Sequence, residues 1–171
     1  LEDTIYTVVR ALDNVIDLNY YPVPYAEITN HKYRSIGLGT SGYHHMLVKQ
    51  GIAFESENHL KLVDELYEKI NYYALKASCA ADSLAALRLA KEKGAYSLFK
   101  GSDYDSGEYF EKRRYSDQKW KALREYIQRF GLRNGYIMAV APTSSTSIIA
   151  GTTAAVDPVL KKTFIEEKKG S

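Results

Sequence analysis

Apolar residues recur three or four positions apart from the start of this chain. Ile5, Val8, Val9, Leu12, Val15 and Ile16 share one face of a helix over Thr4–Leu18. Pro22 and Pro24 stop that rhythm, so Tyr21–Tyr33 reads as a loop. Arg34–Gly39 reads as a short apolar strand, and Gly42–Gln50 as a short helix ended by Gly51. Ser56 is placed to cap a further helix, with Glu57 in its first turn. That helix carries Val63, Leu66, Ile70, Tyr73 and Ala77 on one stripe, and the same rhythm resumes at Leu84 and Leu87 and runs to Gly94. As one rod from Glu57 to Lys93 it would measure about 55 Å. A globule of this size has a radius of gyration of only about 15–16 Å. A bend near Ala81, with Asp82 or Ser83 recapping the second half, removes the mismatch; so does a partner surface outside this chain.

Gly101–Gly107 reads as a loop. Ser116 or Asp117 caps a helix whose apolar stripe is Trp120, Leu123, Ile127 and Phe130, closed by Gly131. Tyr136–Ala141 reads as a second strand. Helices alternating with short strands too far apart for hairpins predict the α/β class, helix-rich, with few short parallel strands. Two or three strands cannot close a sheet, so the missing ones are expected outside this chain.

A length of 171 residues predicts one domain spanning residues 1–171, with a real core. The 45% hydrophobic and 26% charged content is that of a soluble globule. A net charge of +2 gives no reason to expect nucleic acid as a partner. The local run Lys112-Arg113-Arg114, with Lys119 and Lys121, reads as the solvated entry to a helix. The single cysteine, Cys79, excludes an internal disulfide and fits a reducing compartment; mid-helix among alanines, it reads as a core residue. No apolar run approaches the roughly 18 residues of a membrane span, and no secretory signal is visible, so a cytoplasmic location without a membrane partner is expected. A helical pattern already runs by Thr4, and the charged C-terminal stretch stops without a cap, as in a piece of a longer protein.

Candidate chemistry centres on Ala139-Val-Ala-Pro142-Thr-Ser-Ser-Thr146-Ser-Ile-Ile. Thr143, Ser144, Ser145 and Thr146 are consecutive hydroxyl residues between an apolar strand and a helix start. A helix start leaves backbone N–H groups without partners and carries partial positive charge, which suits an anion such as phosphate. The hydroxyls add rotatable donors, and Pro142 stiffens the entry. These residues alone leave a plain helix-capping Ser/Thr turn equally open. Gly37-Leu-Gly39-Thr-Ser-Gly42 matches a dinucleotide-binding spacing, but the strand before it is short and no βαβ unit follows. Close packing of backbone at these glycines is the expected role. His44 and His45 are adjacent and diverge on a helix, while His31 and His59 lie in other elements, so no metal site is expected. Among the 15 tyrosines, Tyr67, Tyr72, Tyr73 and Tyr126 follow helix faces and read as packing with a polar tip.

Three blocks point to a family. Gly131-Leu-Arg-Asn134 leads into Val140-Ala-Pro142-Thr-Ser-Ser-Thr146-Ser-Ile-Ile-Ala-Gly and on to Val156-Asp-Pro158. Leu12-Asp-Asn-Val-Ile-Asp17 with Tyr20-Tyr-Pro-Val-Pro24 precedes Arg34-Ser-Ile-Gly-Leu-Gly39. In order and spacing, the whole chain resembles the large, catalytic subunit of class I ribonucleotide reductase. The resemblance implies a partial segment of a ten-stranded α/β barrel built of two parallel half-barrels. It also implies a ribonucleoside diphosphate substrate whose phosphates are held at Thr143, Ser144, Ser145 and Thr146. The reaction so implied needs a thiyl-forming cysteine in an Asn-x-Cys-x-Glu segment and a redox cysteine pair, neither of which this chain contains. It implies further partners: the remainder of the large subunit, a second copy in a homodimer, a radical-generating, metal-containing small subunit and a thiol reductant. No cofactor or metal is expected on this piece, which alone should be inactive. The stretch Ala80–Ala90 reads about two turns longer than the family pattern. Two other functions stay open on the residues: a stand-alone nucleotide-phosphate-binding module, and an NAD-dependent oxidoreductase resting on Gly37–Gly42.

Overall fold

The computed structural model describes residues 1–79, 89–161 and 163. The first predicted helix forms as α1 (Glu2–Leu18), burying Ile5, Val9 and Ile16 on one face together with Asp13. Pro22 and Pro24 do not open a loop. Pro24 is the first residue of α2 (Pro24–Tyr33), where its missing N–H costs nothing. No residue of α2 is buried, so it carries no apolar stripe to betray it. It ends at Arg34 in the left-handed region, φ 46°.

Further along lie α3 (Tyr43–Lys49), α4 (Glu57–Ser78), α5 (Leu89–Lys93), α6 (Asp103–Ser106), α7 (Glu108–Lys112), α8 (Gln118–Phe130) and α9 (Ser144–Ile149). Ser56 caps α4 as predicted, its hydroxyl accepting from the His59 N–H at 3.2 Å. Asp117 caps α8 through the Trp120 N–H at 3.0 Å, and Gly131 closes that helix at φ 82°. The stretch 101–107, read as a loop, holds α6, capped by the Ser102 hydroxyl on the Asp105 N–H. Among the described residues α4 ends at Ser78, and Cys79, whose N–H still donates to Leu75 C=O at 2.9 Å, pairs antiparallel with Leu132. The predicted bend at Ala81 and recapping at Asp82 or Ser83 lie outside the described residues. Among the described residues, no helix is long and apolar enough to cross a membrane.

The expectation of strands needs correcting. Arg34–Gly39 and Tyr136–Ala141 meet in a single parallel bridge, Leu38 with Met138. The Leu38 N–H donates to Ile137 C=O at 2.7 Å, and the Ala139 N–H to Leu38 C=O at 2.9 Å. The direction of pairing is parallel, as expected, but its extent is one residue. A pair without a third segment beside it is marginal as a sheet, and none flanks it among the described residues. Among the described residues the fold is helix-rich with almost no strand.

The chain divides into two compact units. The larger comprises Leu1–Leu38 with the described residues of 64–139; the smaller comprises Gly39–Val63 with the described residues from Val140 onward. The larger unit holds the main core, in which α1, α4 and α8 contribute Val9, Ala74, Leu75, Leu123 and Ile127. Trp120 is buried there, stacked on Tyr115 at 3.8 Å with its indole N–H donating to Glu68 at 2.8 Å. Cys79 is buried in the same core, as its alanine neighbours suggested. Tyr72 meets Trp120 edge-on at 5.1 Å, and burial pushes its phenol pKa up.

A charged cluster sits inside this unit. Asp13 is fully buried and accepts from Arg34 Nε at 2.9 Å, Asn134 Nδ2 at 3.0 Å and Lys93 Nζ at 3.3 Å. Arg133 Nε reaches the same carboxylate at 3.4 Å. Arg34, itself buried, also donates to both oxygens of Asp17, at 2.8 and 3.0 Å. Asn134 ties the Arg34 carbonyl and the Ser78 hydroxyl into the cluster. The three sequence blocks that stood out thus converge here: Asp13 and Asp17, Arg34, and Arg133 with Asn134.

Candidate phosphate-binding loop

The four hydroxyl residues lie in the smaller unit. Thr143 is the N-cap of α9 and sits at φ 47°, ψ 27°, a left-handed conformation unusual for a β-branched residue. Its side chain does not cap the helix; the Oγ1 instead accepts from the Ala155 N–H at 2.8 Å and from Ser41 Oγ at 3.0 Å. The first bond within α9 runs from the Ser147 N–H to Thr143 C=O at 2.9 Å. The Ser147 hydroxyl folds back onto Ser144 C=O at 3.0 Å and is buried. Ser144, Ser145 and Thr146 are exposed, whereas Thr143 is half-buried. Three consecutive hydroxyl residues therefore face solvent on the first turn of α9, and the fourth is anchored beneath them.

The Gly39–Gly42 turn belongs to the same unit. Gly42 has φ 77°, and a Cβ there would lie 2.5 Å from the Thr152 hydroxyl, so only glycine fits. Its N–H donates to Thr153 C=O at 2.8 Å. His45 Nδ1 pairs with Thr152 Oγ1 at 3.0 Å, while His44 Nδ1 accepts from the Val159 N–H at 2.9 Å. The two imidazoles thus serve different segments. The rings of His59 and Phe54 lie 4.6 Å apart, tilted by 36°, elsewhere in the unit. Among the described residues, no group of three or more His, Cys, Asp or Glu side chains is arranged to hold a metal ion.

Sequence reasoning located the hydroxyl residues but missed Ser41 and Ala155 as their anchors. Ser41 is 102 positions from Thr143. Its only local signal was a small polar residue inside a glycine-rich turn.

All 171 residues match the family described as ribonucleotide reductase, barrel domain. The chain is 56% identical to the ribonucleoside-diphosphate reductase subunit alpha of Treponema pallidum over 170 residues, covering 99% of this chain and 19% of that protein. The protein of the same name from Helicobacter pylori is 42% identical over 172 residues, 93% of this chain and 21% of its own length. That from Chlamydia pneumoniae is 36% identical over 182 residues, 97% of this chain and 17% of its own length. The chain therefore spans about a fifth of the length of the curated relatives it matches.

Proposed function

This chain belongs to the ribonucleotide reductase barrel-domain family, and on that premise we propose that it forms part of a large, catalytic subunit reducing ribonucleoside diphosphates to deoxyribonucleoside diphosphates. Its own contribution is the grip on the diphosphate tail of the substrate. Thr143, Ser144, Ser145 and Thr146 supply that grip through hydroxyls and the backbone N–H groups of a helix start. The supporting observation is the pairing of exposed Ser144, Ser145 and Thr146 with an anchored Thr143. Anchoring fixes the turn before ligand arrives, so less ordering entropy opposes binding.

The chemistry of reduction lies with the rest of the assembly. Cys79 is fully buried in the core and is the one cysteine of the chain, so no redox pair of cysteines can form within it. The remaining large subunit, a second copy of it, a radical-generating small subunit carrying a metal, and a thiol reductant complete the reaction. The chain's span of about a fifth of its curated relatives supports a piece of a larger protein over a stand-alone nucleotide-binding module.

The test is Ser145→Ala combined with Thr146→Ala in the complete subunit. Each hydrogen bond lost to a charged oxygen should weaken binding by about 1.5–3 kcal/mol, so the KM for CDP should rise steeply. An unchanged KM and turnover in the double variant would remove the loop from substrate binding.

A further inference from the structure

A backbone N–H can only donate, so its partner must supply a lone pair. The Val159 N–H lies 2.9 Å from His44 Nδ1, 115 positions away in the chain. That bond fixes the tautomer: the neutral ring carries its proton on Nε2 and commits the Nδ1 lone pair to Val159. An imidazolium has N–H on both nitrogens and accepts nothing. We propose that His44 is a proton-sensitive latch: its neutral ring holds residues 156–161 against α3, and protonation of Nδ1 releases them.

The latch closes on a strap with little else to hold it. Up to Ala155 the chain is tied in, since Thr153 C=O accepts from the Gly42 N–H at 2.8 Å, Thr153 Oγ1 from the His45 N–H at 3.3 Å, and Ala155 is buried. Residues 157–161 are exposed, and Pro158 has no N–H to give. Among the described residues, the Val159 bond is the one hydrogen bond that ties the chain beyond Ala155 back to the unit.

The surroundings offer a charged His44 ring no compensation. His45 on its own helix and Lys161 on the strap line the same cavity, without a carboxylate. Phe54, the contact from the segment before α4, meets the His44 ring edge-on at 5.8 Å. Among the described residues the one imidazole–carboxylate ion pair is His31 with Asp17, so Asp157, the strap's own carboxylate, does not pair with His44. The other two imidazoles of the unit keep their bonds when charged. His45 Nδ1 meets the Thr152 hydroxyl, which can donate or accept, and His59 Nδ1 donates to the Phe54 carbonyl. His59 Nε2 is buried without a partner, which makes that ring the competing titrant to separate.

The experiment is hydrogen–deuterium exchange on the complete subunit, read as protection factors for a peptide containing Val159. It is run at about pH 8 and about pH 5.5, on either side of the roughly 6.5 at which histidine side chains change charge. Wild-type protection should fall about three- to tenfold at the lower pH, the factor that one hydrogen bond supplies. His44→Asn places a non-titrating acceptor close to the Nδ1 position and should keep the high value at both. His44→Ala removes the acceptor and should give the low value at both. Protection across α4 in the same digests reports whether each variant is folded, and one folded variant is enough to decide. Equal wild-type protection at the two pH values overturns the latch, as does full protection in His44→Ala at the higher one. A wild-type-like fall in either folded variant also overturns it, and assigns the response to another group, His59 first.

Discussion

Asp13 is the fully buried carboxylate of the charged cluster in the larger unit. A fully buried carboxylate is tolerable only when its charge is matched, and here Arg34, Lys93 and Arg133 match it while Asn134 completes its hydrogen bonds. Removing it takes the buried carboxylate partner from Arg34 and leaves the guanidinium paired with Asp17 alone. Asp13→Ala should cost about 3–5 kcal/mol of local stability, seen as faster hydrogen exchange in peptides covering α1 and residues 34–38. Unchanged exchange there would show that the cluster is not what holds this region. Asp17 behaves differently, being partly exposed. The Arg34 hydrogen bond holds its carboxyl below the usual range, and Lys119 with the Trp120 indole does the same for Glu68. A depressed carboxyl pKa contributes stability that is complete above the unfolded value and is lost as pH falls through the folded one. Thermal stability should therefore decline below about pH 4, and Asp17→Asn should flatten part of that decline. The residues of this cluster were conspicuous in the sequence, yet their role was not. Asp13 meets residues 21, 80, 120 and 121 positions away, and no local pattern encodes such pairings.

At the scale of elements, α1, α4 and α8 were legible because each buries one face, and burial writes a 3.6-residue rhythm into the chain. Their caps at Ser56 and Asp117 were legible for the same local reason. α2 was not, since it buries nothing and opens on a proline that also resembles a stop signal. α6 and α7 are single turns on either side of Gly107, too short for any periodicity. The strands were misread in extent because apolar composition signals burial as readily as pairing, and pairing depends on neighbours the segment does not contain. The glycine-rich turn was read as a site of close backbone approach, and Gly42 shows why. Gly42→Ala should lose more than the roughly 1–2 kcal/mol of a left-handed alanine, because its Cβ would press on the Thr152 hydroxyl. Gly51→Ala, at φ 67° in open space, should lose only that backbone cost. Comparing the melting temperatures of the two variants checks the difference. Equal losses would mean that Thr152 yields freely and the close approach constrains nothing.

For the molecule as a whole, family membership rests on a match along the full chain, and the fold alone would not have supplied it. Among the described residues, helices with one parallel bridge carry no architectural signature of a barrel. The hydroxyl loop was visible in the sequence as residue types and as a helix start; the way Ser41 and Ala155 secure Thr143 was not, because those contacts exist only once distant segments meet. The central claim is that residues 143–146 recognise the diphosphate and nothing else of the nucleotide. It is tested most directly by calorimetric binding of CDP and of cytidine to the complete subunit, with and without Ser145→Ala/Thr146→Ala. The account predicts that the substitutions erase most of the advantage of CDP over cytidine and leave cytidine binding as it was. Equal weakening of both ligands, or none for CDP, would contradict it.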